Sequence, residues 1–206
     1  MYKEFMIKAW KFRQEIRQHQ EWMEKYAAKR GYTLNPHKMY RTNLIIWLEE
    51  NKRLYHRQVC PCFEASGEAE LDKQLVCPCT FCETDVETKG SCHCGLFGRA
   101  EYTEEDFRDA EAKVMKSYRI PLKWQGDLLD TTGQPKDALR GLPVPDAMHQ
   151  FKQARNQRAA LDFEILCEEE QSAQNIKAYV LQEGIRADIR KLAEGWLLRL
   201  NPEGER

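Results

Sequence analysis

No apolar run in this chain approaches the roughly 20 residues needed for a membrane-spanning helix, so a membrane protein is not expected. The opening residues, MYKEFMIKAWKF, alternate charged and apolar side chains and lack the apolar centre of a secretory leader. A cytoplasmic location is therefore the expectation. Internal repeats and low-complexity tracts are absent, which argues against a solenoid. Alternating strand-like patterns are scarce, so the chain should be mainly α. The Cys-X2-Cys spacing that suits tetrahedral zinc occurs once, at Cys79 and Cys82. No zinc finger, RNA-recognition signature or long Arg/Lys run supports binding to nucleic acid.

What is present is unevenly spread. The 206 residues are 42% hydrophobic and 32% charged, enough for a core that needs no covalent staples. A net charge of −1 conceals a gradient. Residues 1–59 carry 13 Lys+Arg against 6 Asp+Glu, whereas residues 60–104 carry 3 against 9. A basic arm thus leads into an acidic segment, and such an arm can steer an acidic protein partner.

Residues 2–30 read as one long amphipathic helix. Phe5, Ala9, Phe12, Ile16, Met23, Tyr26 and Ala27 recur mostly at three- and four-residue steps, and Gly31 is placed to cap the C-terminal end. Asn35 then reads as an N-cap and Pro36 as a first helical residue, opening a second helix over about 37–54 with Tyr40, Leu44, Trp47 and Leu48 on one face. Residues 60–98 read as loops with short helical turns. Thr103 to Asp106 resembles a helix start running to about 118. The Pro- and Gly-rich stretch 121–145 reads as a linker or an ordered but irregular crossing. Residues 146–206 read as a helical extension, with a last helix over 185–200 marked by Ile185, Ile189, Leu192, Trp196 and Leu200.

Seven of the eight cysteines fall between positions 60 and 94. In a cytosolic chain such clustering points to metal or redox chemistry. Six of them form three Cys-X-Cys pairs: Cys60-Pro61-Cys62, Cys77-Pro78-Cys79 and Cys92-His93-Cys94. A four-iron cluster needs four converging thiolates, and a disulfide reductase needs two more thiols. Side chains at i and i+2 of an extended segment share one side, so one cysteine of a pair can bind iron while its neighbour stays free close by. The intervening prolines stiffen the first two pairs. His93, between two cysteines, suits proton exchange near neutral pH. A structural zinc site in an interaction protein remains an alternative on these residues alone, although seven cysteines are an awkward number for one zinc ion.

The order CPC, CPC, CHC resembles the catalytic beta chain of ferredoxin:thioredoxin reductase. The resemblance extends to Gly31-Tyr-Thr-Leu-Asn-Pro36, to Glu70-Leu-Asp72, to Asp85-Val86 and to Gly90-Ser-Cys-His-Cys-Gly-Leu-Phe97. It covers about residues 22–107, and its spacing is similar to the longer-spaced versions of anaerobic bacteria and archaea. It implies helices around a loop-rich iron–sulfur core over residues 1–120. It implies a [4Fe-4S] cluster on Cys60, Cys77, Cys79 and Cys92, and an active-site disulfide between Cys62 and Cys94. Cys62 would be the exposed attacking thiol, Cys94 the inner thiol held by the cluster in the half-reduced state, and His93 the proton carrier. A ferredoxin-like donor and thioredoxin, or a related disulfide protein, are the implied partners. A divergent electron-transfer or redox-sensing module is the second reading.

Two residues depart from the family's pattern. Phe63 and Cys82 stand where basic side chains are usual, which removes positive charge beside the cluster. Cys82 reads equally as a buried small apolar residue, a spare thiol, an alternative ligand or a site of oxidation. Cys167, in an apparently helical run, reads as a packed helix residue. His19, His37, His56 and His149 read as surface or cap residues.

Overall fold

The computed structural model describes residues 2–117, 119–135 and 146–201. The chain divides into two compact units, Met1–Met115 and Lys116–Arg206. Among the described residues there are eight helices, and none is long and apolar enough to cross a membrane.

The first unit is built on helices. The expected single N-terminal helix is two, α1 (Tyr2–Lys11) and α2 (Arg13–Arg30), joined at Phe12, whose φ/ψ of −101°/19° leaves the helical range. The apolar stripe is nevertheless the buried one: Phe12, Ile16, Met23 and Ala27 are buried, and Phe5, Ala9 and Tyr26 pack against them. Gly31 closes α2 at φ 68°, in the left-handed region open to glycine. Strand β1 (Thr33–Leu34) follows, and α3 (Lys38–Tyr55) buries Leu44, Ile45, Ile46 and Leu48. The N-cap of α3 is His37, not Asn35. Asn35 is fully buried and makes a turn of its own, its Oδ1 accepting the His37 N–H at 2.8 Å.

The cysteine segment contains α4 (Ala69–Gln74), α5 (Cys82–Lys89) and strand β2 (Phe97–Gly98), which pairs antiparallel with β1. Helix α6 (Glu104–Ser117) begins with a reciprocal cap. The Asp106 carboxylate accepts the Thr103 N–H at 2.9 Å, and Thr103 Oγ1 accepts the Asp106 N–H at 3.2 Å. Its expected end at Tyr118 lies outside the described residues.

The second unit corrects the helical extension. It carries a five-stranded sheet of order β3-β4-β5-β7-β6 with two helices. Strands β3 (Lys123–Gln125) and β4 (Leu128–Asp130) form a hairpin inside the expected linker, whose residues 136–145 lie outside the described ones. Helix α7 (Ala147–Gln157) leads to β5 (Glu164–Cys167), which runs parallel to β4. Helix α8 (Glu170–Leu181) precedes the hairpin of β6 (Arg186–Lys191) and β7 (Trp196–Asn201). The expected last helix is therefore two strands, and Cys167 is a buried strand residue. The physical reason is the period. Leu161, Phe163, Ile165 and Cys167 are all buried at two-residue steps, as a sheet face requires. Gly195 lies against β5, where a Cβ would stand 2.3 Å from the Cys167 carbonyl oxygen.

Candidate metal and redox centre

Three short turns bring the cysteines together. A bridge between Val59 and Val76 sets the first pair beside the second. Cys60 N–H donates to the Leu75 carbonyl at 2.8 Å and Cys77 N–H to the Gln58 carbonyl at 3.0 Å. A bridge between Ser91 and Gly98, with Cys92 N–H donating to the Phe97 carbonyl at 2.8 Å, folds the third pair back on itself. Gly95 permits that reversal at φ 66°. Asp72 orders the loop after the first pair, its carboxylate accepting the Ser66 N–H at 2.7 Å and the Gly67 N–H at 3.2 Å.

Helix α3 pins both ends of the segment. Asn51 Nδ2 donates to the Val59 carbonyl at 2.8 Å, one residue before the first pair. The Tyr40 hydroxyl donates to the Cys94 carbonyl at 2.7 Å. Asn35 adds a third tie, Nδ2 donating to the Gly95 carbonyl at 2.8 Å. These three residues escaped the sequence reading as site residues. Asn51 carried a usable signal, a polar side chain on the buried side of an amphipathic helix. Tyr40 was visible only as part of an apolar face.

All six paired cysteines meet. The sulfurs of Cys60, Cys62 and Cys94 lie within 4.8 Å of one another. Cys77 and Cys79 also come close enough to Cys60 to perturb its thiol, and the Cys92 and Cys94 sulfurs are 3.7 Å apart. Contacts donated by Cys62, Cys77, Cys79 and Cys94 hold the Cys60 thiol well below its ordinary range. Cys82 and Cys94 do the same for Cys92. Hydrogen bonding to Cys60, together with burial, pushes Cys77 and Cys79 up. Cys60, Cys79, Cys92 and Cys94 are buried, while Cys62 and Cys77 are half-buried. The N–H groups of Leu96 and Phe97 both point at Cys92 Sγ, at 3.3 Å each.

His93 stands at the edge of this array with its side chain 38% exposed. Its Nδ1 lies 3.7 Å from Asp85 Oδ2, and the Phe63 ring packs 5.6 Å from its own. Asp85 is buried in the first turn of α5 and also accepts from Lys89 Nζ at 2.6 Å. Away from Cys62, a cleft of about 290 Å³ reaches Cys77 and is lined by His19, Trp22, Glu49 and Gln58 among others. His19 Nε2 and Gln58 Nε2 both meet the buried Glu49 carboxylate at 2.9 Å. His19 is thus a paired residue of this cleft, and His37 and His56 are the two caps of α3.

The model of the ferredoxin thioredoxin reductase catalytic beta chain matches residues 9–119, more than half of the chain. The chain belongs to that family. A comparison with curated proteins finds no match. The matched span contains every cysteine of the array, and the second unit lies almost wholly outside it.

The donor set fits the iron–sulfur cofactor of this family. More than four cysteines converge in one buried place, and backbone N–H groups aimed at a cysteine sulfur are the contacts that stabilise a thiolate bound to iron. Hard oxygen ligands are absent from the array among the described residues, which disfavours calcium or magnesium there.

Proposed function

We propose that this protein is an iron–sulfur disulfide reductase. It takes electrons singly from a ferredoxin-like donor and delivers them to the Cys62–Cys94 pair, which reduces thioredoxin or a similar protein disulfide. The observation that carries the reading is the convergence of the Cys60, Cys62 and Cys94 sulfurs within 4.8 Å, with Cys62 more exposed than the other two.

Cys60, Cys77, Cys79 and Cys92 would hold a [4Fe-4S] cluster. When bound, that group supplies one-electron storage beside a two-electron disulfide. The rest of the chemistry belongs to side chains of this chain. Cys62 sits at the accessible edge, so its thiolate can attack one sulfur of a target disulfide. That forms a Cys62–target mixed disulfide and expels the second target sulfur as a thiolate. Cys94, within 4.8 Å of Cys62, then attacks the Cys62 sulfur, closes the internal disulfide and releases the other target thiol. Two electrons and two protons restore the dithiol. His93 would carry the protons, a role supported by its part-exposed ring and by the buried Asp85 carboxylate 3.7 Å from its Nδ1. Tyr40 fixes the Cys94 backbone, so the inner thiol stays aligned while Cys62 is joined to the target.

The test is anaerobic purification with iron, acid-labile sulfide and zinc measured on one sample, followed by thioredoxin reduction. About four irons and four sulfides per chain, as a single cubane requires, with activity abolished in Cys62→Ser, is the expected result. Zinc without sulfide in a sample never exposed to air would overturn the reductase reading and leave an interaction module. A loaded cluster with full activity in Cys62→Ser would leave an electron-transfer module.

A further inference from the structure

Helix α1 is apolar on a face where a surface helix is ordinarily polar. Its inward stripe is accounted for: Phe5 and Ala9 pack against the core and Phe12, just past the end of the helix, is buried. On the other side Met6 is 49% exposed, Ile7 57% and Trp10 71%. Scattered exposed apolar residues are ordinary. Three of them between positions 6 and 10 of one helix make a patch.

The charges around the patch are sorted by sign. Lys3, Lys11 and Arg13 are exposed beside it. The Arg13 guanidinium lies 4.7 Å from the centre of the Trp10 ring, and its Nη1 donates to the Trp10 carbonyl at 3.1 Å. Glu4, the acidic residue of α1, is turned toward α3: Lys8 Nζ meets it at 2.9 Å and meets Glu50 of α3 at 2.8 Å. The outward face is therefore apolar at its centre and basic at its edge.

We propose that this face of α1 is a peripheral docking surface for an anionic lipid membrane. The helix lies on the bilayer and does not cross it. Such a helix needs an apolar face for the acyl boundary and cations for the headgroups, and tryptophan is favoured at that depth. An anionic leaflet attracts each nearby Lys or Arg, and the rim of this patch supplies three. An acidic protein is the competing occupant. A stable protein interface takes about 20–30 residues from each side, whereas this patch is confined to one helix, and a fluid headgroup layer adapts to so narrow a ridge. The proposal does not rest on the cysteine chemistry, and Met6 and Ile7 precede the span matched by the family model, which starts at residue 9.

The experiment uses the full chain, purified anaerobically and sedimented with vesicles. One set is phosphatidylcholine alone, and the other is phosphatidylcholine and phosphatidylserine in equal parts. The parent is expected to sediment with the anionic vesicles, to stay in solution with the neutral ones, and to be released as salt screens the attraction. Binding falls about tenfold in Trp10→Ser and in the double variant Lys3→Glu/Lys11→Glu. Met39→Ser, which alters an exposed apolar residue of α3, leaves it unchanged. Bromine-labelled lipid quenches tryptophan fluorescence in the parent and quenches it less in Trp10→Phe. The substituted side chains are all exposed, and matching circular dichroism verifies that the variants keep the fold.

No binding of the parent to the anionic vesicles overturns the proposal, and so does equal binding of the parent and Trp10→Ser. A parent that is dimeric in solution, with Ile7→Asp monomeric, assigns the face to a second copy and overturns it. Binding to polyglutamate as tight as to the anionic vesicles, and undiminished in Trp10→Ser, makes the face a site for an acidic protein and overturns it as well.

Discussion

The two units hold their shape by different means. In Lys116–Arg206 the frame is a five-stranded ladder whose backbone groups satisfy one another, with Phe151, Ile165, Ile176 and Leu198 fully buried around it. In Met1–Met115 the functional segment has two short helices, isolated bridges and one two-residue strand, and it is tied back to the first half of the unit by β1 and by side chains of Asn35, Tyr40 and Asn51. A ladder distributes its stability over many equivalent bonds. A segment hung on three side chains concentrates it, and leaves room for a cofactor to supply the rest. That difference is open to attack from three directions.

The largest effect should come from stripping the proposed iron–sulfur cofactor. Because metal-binding free energy is folding free energy where ligands come from loops, calorimetry of the full chain should show the transition of the first unit falling by about 10 °C or more on iron removal. The second unit's transition should stay in place. Equal shifts in both would mean that the contrast is wrong.

A smaller effect is expected from Asn51→Ala. It leaves the Val59 carbonyl buried and unpaired, at a cost of about 1–3 kcal/mol, and it loosens the first cysteine pair. Chemical denaturation followed through the visible absorption of the proposed cluster should show the loss. An unchanged midpoint would mean that α3 does not hold the segment.

The smallest effect belongs to acid. Asp146, the buried N-cap of α7, accepts from the His149 N–H at 2.8 Å and meets His149 Nδ1 at 2.7 Å. Burial pushes its pKa up, but the His149 ring and N–H and the nearby Lys152 outweigh burial and bring it below the ordinary carboxylate range. A depressed folded pKa contributes stability that is fully present above the unfolded value of about 3.9 and is lost as pH falls through the folded value. The second unit should therefore weaken below about pH 4, and Asp146→Asn should flatten that dependence. A steeper acid slope in the variant would refute the assignment.

The sequence disclosed the cysteine centre because its chemistry demands particular atoms: thiolates at fixed spacing have few other uses. It disclosed the stripes of α2 and α3 because helix burial repeats at 3.6 residues. The hairpin of β6 and β7 was hidden by coincidence, since Ile185, Ile189, Leu192, Trp196 and Leu200 fall at helix-like steps. Gly184 and Gly195, both at positive φ, were the overlooked punctuation. In β5 the alternation from Leu161 to Cys167 was plain, but Leu166 is also buried, so the strand is covered on both faces and reads as a continuous apolar run. Asn35 misled for a different reason. The Asn-Pro pair signals a helix start, yet its amide is engaged by the Gly95 carbonyl, 60 residues away, and no local rule anticipates a tie of that range.

The two pins on α3 have a consequence for how this centre could change over time. Asn51 and Tyr40 grip the chain at Val59 and at Cys94, the two ends of the whole cysteine segment. With the ends held, the intervening loops close at a cost that grows only logarithmically with length, about 0.6 kcal/mol for each doubling. Residues can be inserted or removed between the first and second pairs without moving either anchor. One rigid rod thus lets the spacing of the pairs drift while the meeting point of their sulfurs stays where it is.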